Sequence, residues 1–215
     1  PARPAAGGPR EPRQRWRIVY AKASGAPASQ REELAAWEAG LAASGLPLVG
    51  LDSPKGRPRL VLAAPLPAGI AAERELVDIY LTERRTVDAV RAAVAAALPP
   101  GHALVDVHDV WLGSPPLPAE AVAADYRVVL ARGAPAAASV ASAARRLLAA
   151  ATLERDRSRG GGTVRYDLRP LLAAIEVASP GPPPVLRIRV RLDPALGNGR
   201  PDEVLEALGE IVGAP

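Results

Sequence analysis

The chain has 215 residues and a formal net charge of +4, long enough for one large domain or two of roughly 100 residues each. It contains no Cys, Met or Phe, which excludes disulfides, iron–sulfur ligation and thiolate nucleophiles within this sequence. Hydrophobic residues make up 48%, but three Trp and four Tyr are the only aromatics, so any core is built from Ala, Val, Leu and Ile.

Two histidines, His102 and His108, are too few for a zinc site without an oxygen-rich remainder, and no metal or cofactor of its own is expected. The N-terminus lacks the apolar core of a signal peptide, and the Ala-rich run from Ala92 to Leu98 is too short to span a bilayer. A cytoplasmic protein without a membrane partner is expected. Lys and Arg total 27, of which only Lys22 and Lys55 are lysines, leaving 25 arginines. A GC-rich coding bias accounts for so much Arg, Ala, Pro and Gly; placement decides whether the arginines also bind something.

Residues 1–15 are dominated by Pro, Gly, Ala and Arg and read as a disordered tail. A short strand follows at Arg17–Lys22. Ser29 caps a helix predicted over Gln30–Ala43, with Glu32 and Glu33 in its first turn and Leu34, Trp37 and Leu41 as its buried stripe. Strands are predicted at Pro58–Pro65 and Glu75–Glu83, joined through the turn-rich Pro65–Gly69. Thr86 caps a helix over Val87–Leu98, and Ala103–Trp111 is a fourth strand. This βαββαβ order is that of a ferredoxin-like lobe, residues 16–112.

Residues 113–124, opening on the proline-rich Gly113–Pro118, read as a linker, and the cycle restarts in residues 125–215. Tyr126–Ala131 is a strand and Ala136 to about Arg155 a helix. Ser158–Gly162 is a basic turn, and Thr163–Arg169 and Val185–Leu192 are alternating strands. Leu171–Val177 between them is ambiguous. A last helix runs from Pro201 to Ile211. The expected fold is α+β, with two ferredoxin-like lobes, the second lacking an obvious closing strand.

Alternation gives the second half its main feature. Arg187, Arg189 and Arg191 oppose Leu186, Ile188, Val190 and Leu192 along one strand. Arg165, Asp167 and Arg169 oppose Val164, Tyr166 and Leu168 along another, and Arg127 opposes Tyr126 and Val128. If these strands share a sheet, its open face carries six arginines and one aspartate. Like charges across strands are unfavourable, so such a face invites an anion. Arg157 and Arg159, beside Gly160–Gly162, form a second basic element that reads either as a loop wrapping a phosphate backbone or as a disordered hairpin tip. The expected nucleic-acid contacts are therefore Arg127, Arg157, Arg159, Arg165, Arg169, Arg187, Arg189 and Arg191. A solvated face with arginine set by coding bias is the competing account. No aromatic platform for base stacking is present, so any RNA contact is with backbone and shape.

Catalytic constellations are sparse. His108 has Asp106 and Asp109 beside it but no nucleophile, and Gly160–Gly162 lacks the Gly-Lys-Ser/Thr of a phosphate loop. Glu75 and Asp78 with Glu32 and Glu33 could form an acidic site, though no spacing requires it.

Several stretches in order resemble the radical SAM-linked family of unknown function. They are Tyr20-Ala21-Lys22, Leu46-Pro47-Leu48, Arg57–Leu60 running into Ala64–Gly69, Glu75 with Asp78–Leu81, Asp167–Pro170 and Gly199–Leu205. Two stretches depart from it. Ala28–Glu32 has Gln30 where the family carries the His of Ser-His-x-Asp, and Asp52–Pro58 replaces a Gly-Phe-Asn-Pro stretch. The resemblance implies association with a radical SAM enzyme. Such an enzyme holds its cluster through three cysteines, and this chain has none. The implied role is accessory and non-catalytic, and the family's genomic company with RNA-processing genes implies structured RNA as the anionic partner. Alternatives are a protein-interaction module docking the enzyme through Pro65–Gly69, or an unrecognised hydrolase or transferase.

Overall fold

The computed structural model describes residues 10–24, 29–64, 66, 69–159 and 161–213, with the backbone alone at Ser158 and Arg159. The expected tail therefore falls outside the described residues over 1–9, as does most of the Pro65–Gly69 loop. The chain divides into two compact units, one ending at Glu120 and the other beginning at Ala121. No helix among the described residues is long and apolar enough to cross a membrane.

The first unit runs β1 (Gln14–Lys22), α1 (Gln30–Ala43), β2 (Leu60–Leu62), β3 (Ala72–Leu81), α2 (Val87–Ala97), β4 (His102–Val110) and the short α3 (Leu117–Glu120). Its strands lie in the order β2-β3-β1-β4, every pair antiparallel, which is the split βαβ arrangement expected for a ferredoxin-like lobe. One face of β1 buries Trp16, Ile18 and Tyr20 against Trp37 and Leu41 of α1 and Val90 and Val94 of α2. Both helices start where side-chain caps place them. Ser29 and Glu32 form a reciprocal capping box, and Thr86 accepts from the Ala89 amide. A Cβ at Gly40 would stand 2.1 Å from the Ala97 carbonyl oxygen, so only glycine lets α1 come this close to the end of α2.

Three expectations are corrected in this unit. Leu34 is exposed and Glu33 is buried in its place. The first strand begins at Gln14 rather than Arg17, so residues 14 and 15 belong to the sheet and not to a tail. Arg15 is 1% exposed and faces Asp78, which is 0% exposed. Arg15 Nε donates to Asp78 Oδ2 at 2.7 Å, and Arg17 Nε donates to Oδ1 at 2.8 Å. The remaining donors reach the segment read as a linker. Arg15 Nη1 donates to the Ser114 and Pro115 carbonyls at 3.0 and 2.9 Å, and Arg17 Nη2 pairs with Glu120 at 2.5 Å. With Leu117 1% exposed, residues 114–120 form a strap on the first unit. The donors satisfied there, rather than the prolines, hold the strap in place.

The second unit comprises β5 (Ala123–Val129), α4 (Ala137–Ala149), β6 (Glu154–Arg159), β7 (Gly162–Asp167), a 3-10 turn at Arg169–Leu171, β8 (Leu172–Ser179), β9 (Val185–Asp193), β10 (Gly197–Asn198) and α5 (Pro201–Val212). β9 pairs antiparallel with β5, β8 and β10. The order β5-β9-β8 is again a split βαβ, and the two-residue β10 paired with β9 is the fourth strand of this sheet. Leu186, Ile188 and Val190 are 0% exposed beneath Val140, Ala144 and Leu147 of α4 and Val204 and Ala207 of α5.

Two expectations fail here. The helix predicted to about Arg155 ends at Ala149, where Ala150 turns to an extended conformation and Glu154 and Arg155 enter a strand. Residues 154–159 instead pair with 162–167 as a separate two-stranded sheet. β7 thus shares no sheet with β9.

Asp78→Ala should leave the buried Arg15 guanidinium and the partly buried Arg17 guanidinium without their shared carboxylate and cost about 3–5 kcal/mol. Arg187→Gln, on an open face, should change stability by less than about 0.5 kcal/mol. Urea unfolding of both variants checks the contrast.

Candidate functional site

The eight arginines expected to contact an anion separate into two groups. Arg187, Arg189 and Arg191 are exposed on the face of β9 opposite its buried leucine, isoleucine and valine. A strand rises about 3.4 Å per residue, so these side chains stand roughly 7 Å apart along one line. Register places Arg127 of β5 and Glu176 of β8 on either side of Arg187, and Asp125 beside Arg189. The face thus carries four arginines and two carboxylates. The three arginines of β9 are only slightly paired. Asp125 is 3.8 Å from Arg189 with both side chains more than half exposed, and Arg191 donates to the Pro170 carbonyl at 2.7 Å. Arg187 has no ion-pair or hydrogen-bond partner among the described residues.

Arg157, Arg165 and Arg169 do not join this face, because β7 pairs with β6. Arg165 lies on the hairpin, exposed, with Nε donating to Asp156 at 3.0 Å. Arg169 donates to the carbonyls of Leu172 and Leu148, the latter in the last turn of α4, where a cation satisfies free carbonyls. Arg157 forms a two-pronged pair with Glu203 of α5, at 2.9 and 2.7 Å, and lies over the Tyr166 ring. Burial pushes the Glu203 carboxyl up, but hydrogen bonds from Arg157 and Tyr166 more than reverse this and hold it below the usual range. Arg157 and Arg169 therefore fasten the hairpin and α4. The Arg159 side chain lies outside the described residues. His108 is exposed on β4 with Nδ1 3.7 Å from Asp106, and Asp106 also pairs with Arg91.

A second site was only glimpsed in the sequence. On the helix-facing side of the first sheet, Tyr20, Lys22, Glu75 and His102 surround Glu33 of α1 and line or adjoin a cleft that Ser29 and Gln30 border. Glu33 Oε1 accepts from His102 Nε2 at 2.7 Å, Trp37 Nε1 at 3.1 Å and the Tyr20 hydroxyl at 3.2 Å. Lys22 Nζ lies 2.9 Å from Oε2. Burial raises the Glu33 carboxyl, and the hydrogen bonds from Lys22 and His102 bring it below its ordinary value. Glu75 has no such partner. Burial, then the charge of Glu33, push its carboxyl up to about 7, with Lys22 opposing. The four acidic residues grouped in the sequence divide accordingly. Glu33 and Glu75 share the cleft, Glu32 caps α1, and Asp78 lies on the opposite face of β3.

The sign of the Glu75 shift makes a prediction. An unfolded Glu75 titrates near 4.5 and the folded one near 7, so the folded state alone holds that proton between them. Its contribution to stability therefore falls as pH rises through that window. Glu75→Gln should gain about 2 kcal/mol more on the parent protein at pH 8 than at pH 5, read from urea midpoints. A pH-independent difference would count against the buried, unpaired carboxyl.

Comparison with known proteins adds a family and no activity. A family model described as "Uncharacterized protein conserved in bacteria (DUF2344)" matches residues 53–201, more than half of the chain. No curated protein matches the chain significantly. The match begins in the loop ahead of β2 and runs through both units to the first residue of α5. This chain belongs to the DUF2344 family of uncharacterized proteins conserved in bacteria.

Proposed function

We propose that this protein is a cytoplasmic, non-catalytic accessory module of a radical SAM system that binds the phosphate backbone of structured RNA through the arginine ladder of β9. The supporting observation is the contrast among the arginines. Arg15, Arg17, Arg157 and Arg169 are engaged in internal pairs and caps, whereas Arg187, Arg189 and Arg191 project from an open sheet face with little to neutralise them. Exposed cations repeated along a straight strand suit a linear polyanion better than a compact one. The face offers no exposed aromatic ring on β5 or β9, so binding would follow backbone charge and shape rather than base identity. The radical SAM connection rests on the family resemblance alone; with no cysteine in this sequence, its role in such a system would be accessory.

Replacing Arg187, Arg189 and Arg191 together by Gln should weaken binding of a structured RNA to a similar degree for all sequences. It should also reduce the slope of log affinity against log salt by roughly two to three, at about 0.7 to 0.9 per lost phosphate contact. The buried face of β9 is untouched, so folding should persist. Unchanged affinity and slope in the folded triple variant would leave coding bias as the account of these arginines. A docking surface for protein would instead show little response to salt.

A further inference from the structure

β5 is an edge of the second sheet. It pairs with β9 on one side, and among the described residues no strand pairs with its other side. The ladder decides which groups point outward. Leu192 N donates to the Val122 carbonyl and Leu130 N to the Pro184 carbonyl. The even-numbered residues of β5 therefore bond to β9, and the N–H and C=O groups of Ala123, Asp125, Arg127 and Val129 point away from it. Such an edge is ordinarily blunted by a bulge, a proline or brevity. β8 shifts register twice against β9, and β2 has only three residues. β5 has seven residues, no proline and an unbroken register with β9.

The side chains of these residues are self-complementary. A second β5 laid antiparallel can meet the outward groups only in registers that set odd positions opposite odd ones. Centred on Asp125, such a pair sets aspartate against aspartate; centred on Arg127, it sets arginine against arginine. Like charges directly opposite are unfavourable. Centred on Tyr126, the pair sets each Asp125 opposite the other copy's Arg127 and each Ala123 opposite the other copy's Val129. Within its own chain Asp125 meets Arg189 at 3.8 Å, beyond hydrogen-bond reach, so its oxygens can still accept. Val129 is 54% exposed, and this register covers it from the side. We infer that β5 is the interface for a second copy of this chain, paired antiparallel about Tyr126 with reciprocal Asp125–Arg127 contacts. A twofold axis normal to the sheet relates the copies and preserves its faces. Both β9 arginine rows then lie on one side of a continuous sheet, three strand spacings or about 14 Å apart. The pairing does not depend on RNA binding; where RNA binds, the dimer offers it two rows instead of one.

The test is analytical ultracentrifugation of the full chain and its charge-swapped variants, without RNA. A contact seven residues long is small for a permanent dimer, so the chain should be largely monomeric at about 1 μM and dimeric at about 200 μM. Asp125→Arg and Arg127→Asp, each checked for folding by circular dichroism, should each weaken association at least about tenfold. Mixed in equal amounts, the two single variants should form a heterodimer, because opposite charges then meet at both contacts. The double variant should dimerise as the unsubstituted chain does. If a single variant does not fold, amide exchange in the unsubstituted chain decides. The Asp125 and Val129 amides should exchange more slowly at about 200 μM than at about 2 μM. A chain that is monomeric at about 200 μM would overturn the assignment. So would folded single variants that dimerise unimpaired, folded single variants that stay apart when mixed, or exchange at Asp125 that ignores concentration.

Discussion

A carboxylate with no access to water sits in the middle of the first sheet, and much of that unit is arranged around it. Asp78 on β3 draws Arg15 and Arg17 from β1, and the Arg15 guanidinium could not be buried without it. The two arginines fix the register of β1 against β3, since Arg17 lies directly opposite Asp78. Their spare donors then bind the Ser114 and Pro115 carbonyls and Glu120, so the same charge also determines where the chain goes after β4. With the face of the sheet closed in this way, the first unit ends at Glu120 rather than at the last residue of its fourth strand.

This arrangement bears on function because it separates arginines that hold the protein together from arginines that do not. A chain with 25 arginines has a basic character that composition alone cannot interpret. Arg157, in its two-pronged contact with Glu203, ties the β6–β7 hairpin to α5, and Arg169 closes the end of α4. Removing either would disturb packing first. The β9 arginines differ in kind. Their strand is anchored by Leu186, Ile188 and Val190 on the other face, so the fold gains nothing evident from the charges it displays. A basic surface without a structural duty is the physical basis for assigning it a partner.

How far the sequence could be read depended on the range of the interaction involved. Ser29 with Glu32, and Thr86, act within one helical turn, and α1 has the bounds they predict. Alternation along β9 likewise placed Arg187, Arg189 and Arg191 on one face and their neighbours in the core. It could not say which strands lie side by side. Pairing β7 with β6 removed Arg165, Arg169 and Asp167 from the expected array, since a strand's own pattern does not name its neighbour. Arg15 was hidden in a polar stretch because its partner is 63 residues away. Glu33 was masked similarly. Apart from Trp37, one turn along α1, its contacts come from positions 20, 22 and 102, and only the fold brings these to it. One separation was within reach of the sequence. Glu75 and Asp78 are three apart on a strand and must face opposite ways.

The two units thus carry different chemistry. The first encloses charges in pairs and keeps a small polar cleft; the second exposes a row of cations on a sheet. The central claim, that the β9 arginines are the ones available to a polyanion, is most directly tested by arginine-selective modification with phenylglyoxal, mapped by peptide mass spectrometry with and without a structured RNA. Modification of Arg187, Arg189 and Arg191 in the free protein and its suppression by RNA, with Arg15 unreactive in both states, is the predicted result. Equal modification of the three residues with and without RNA, under conditions where RNA is bound, would contradict it.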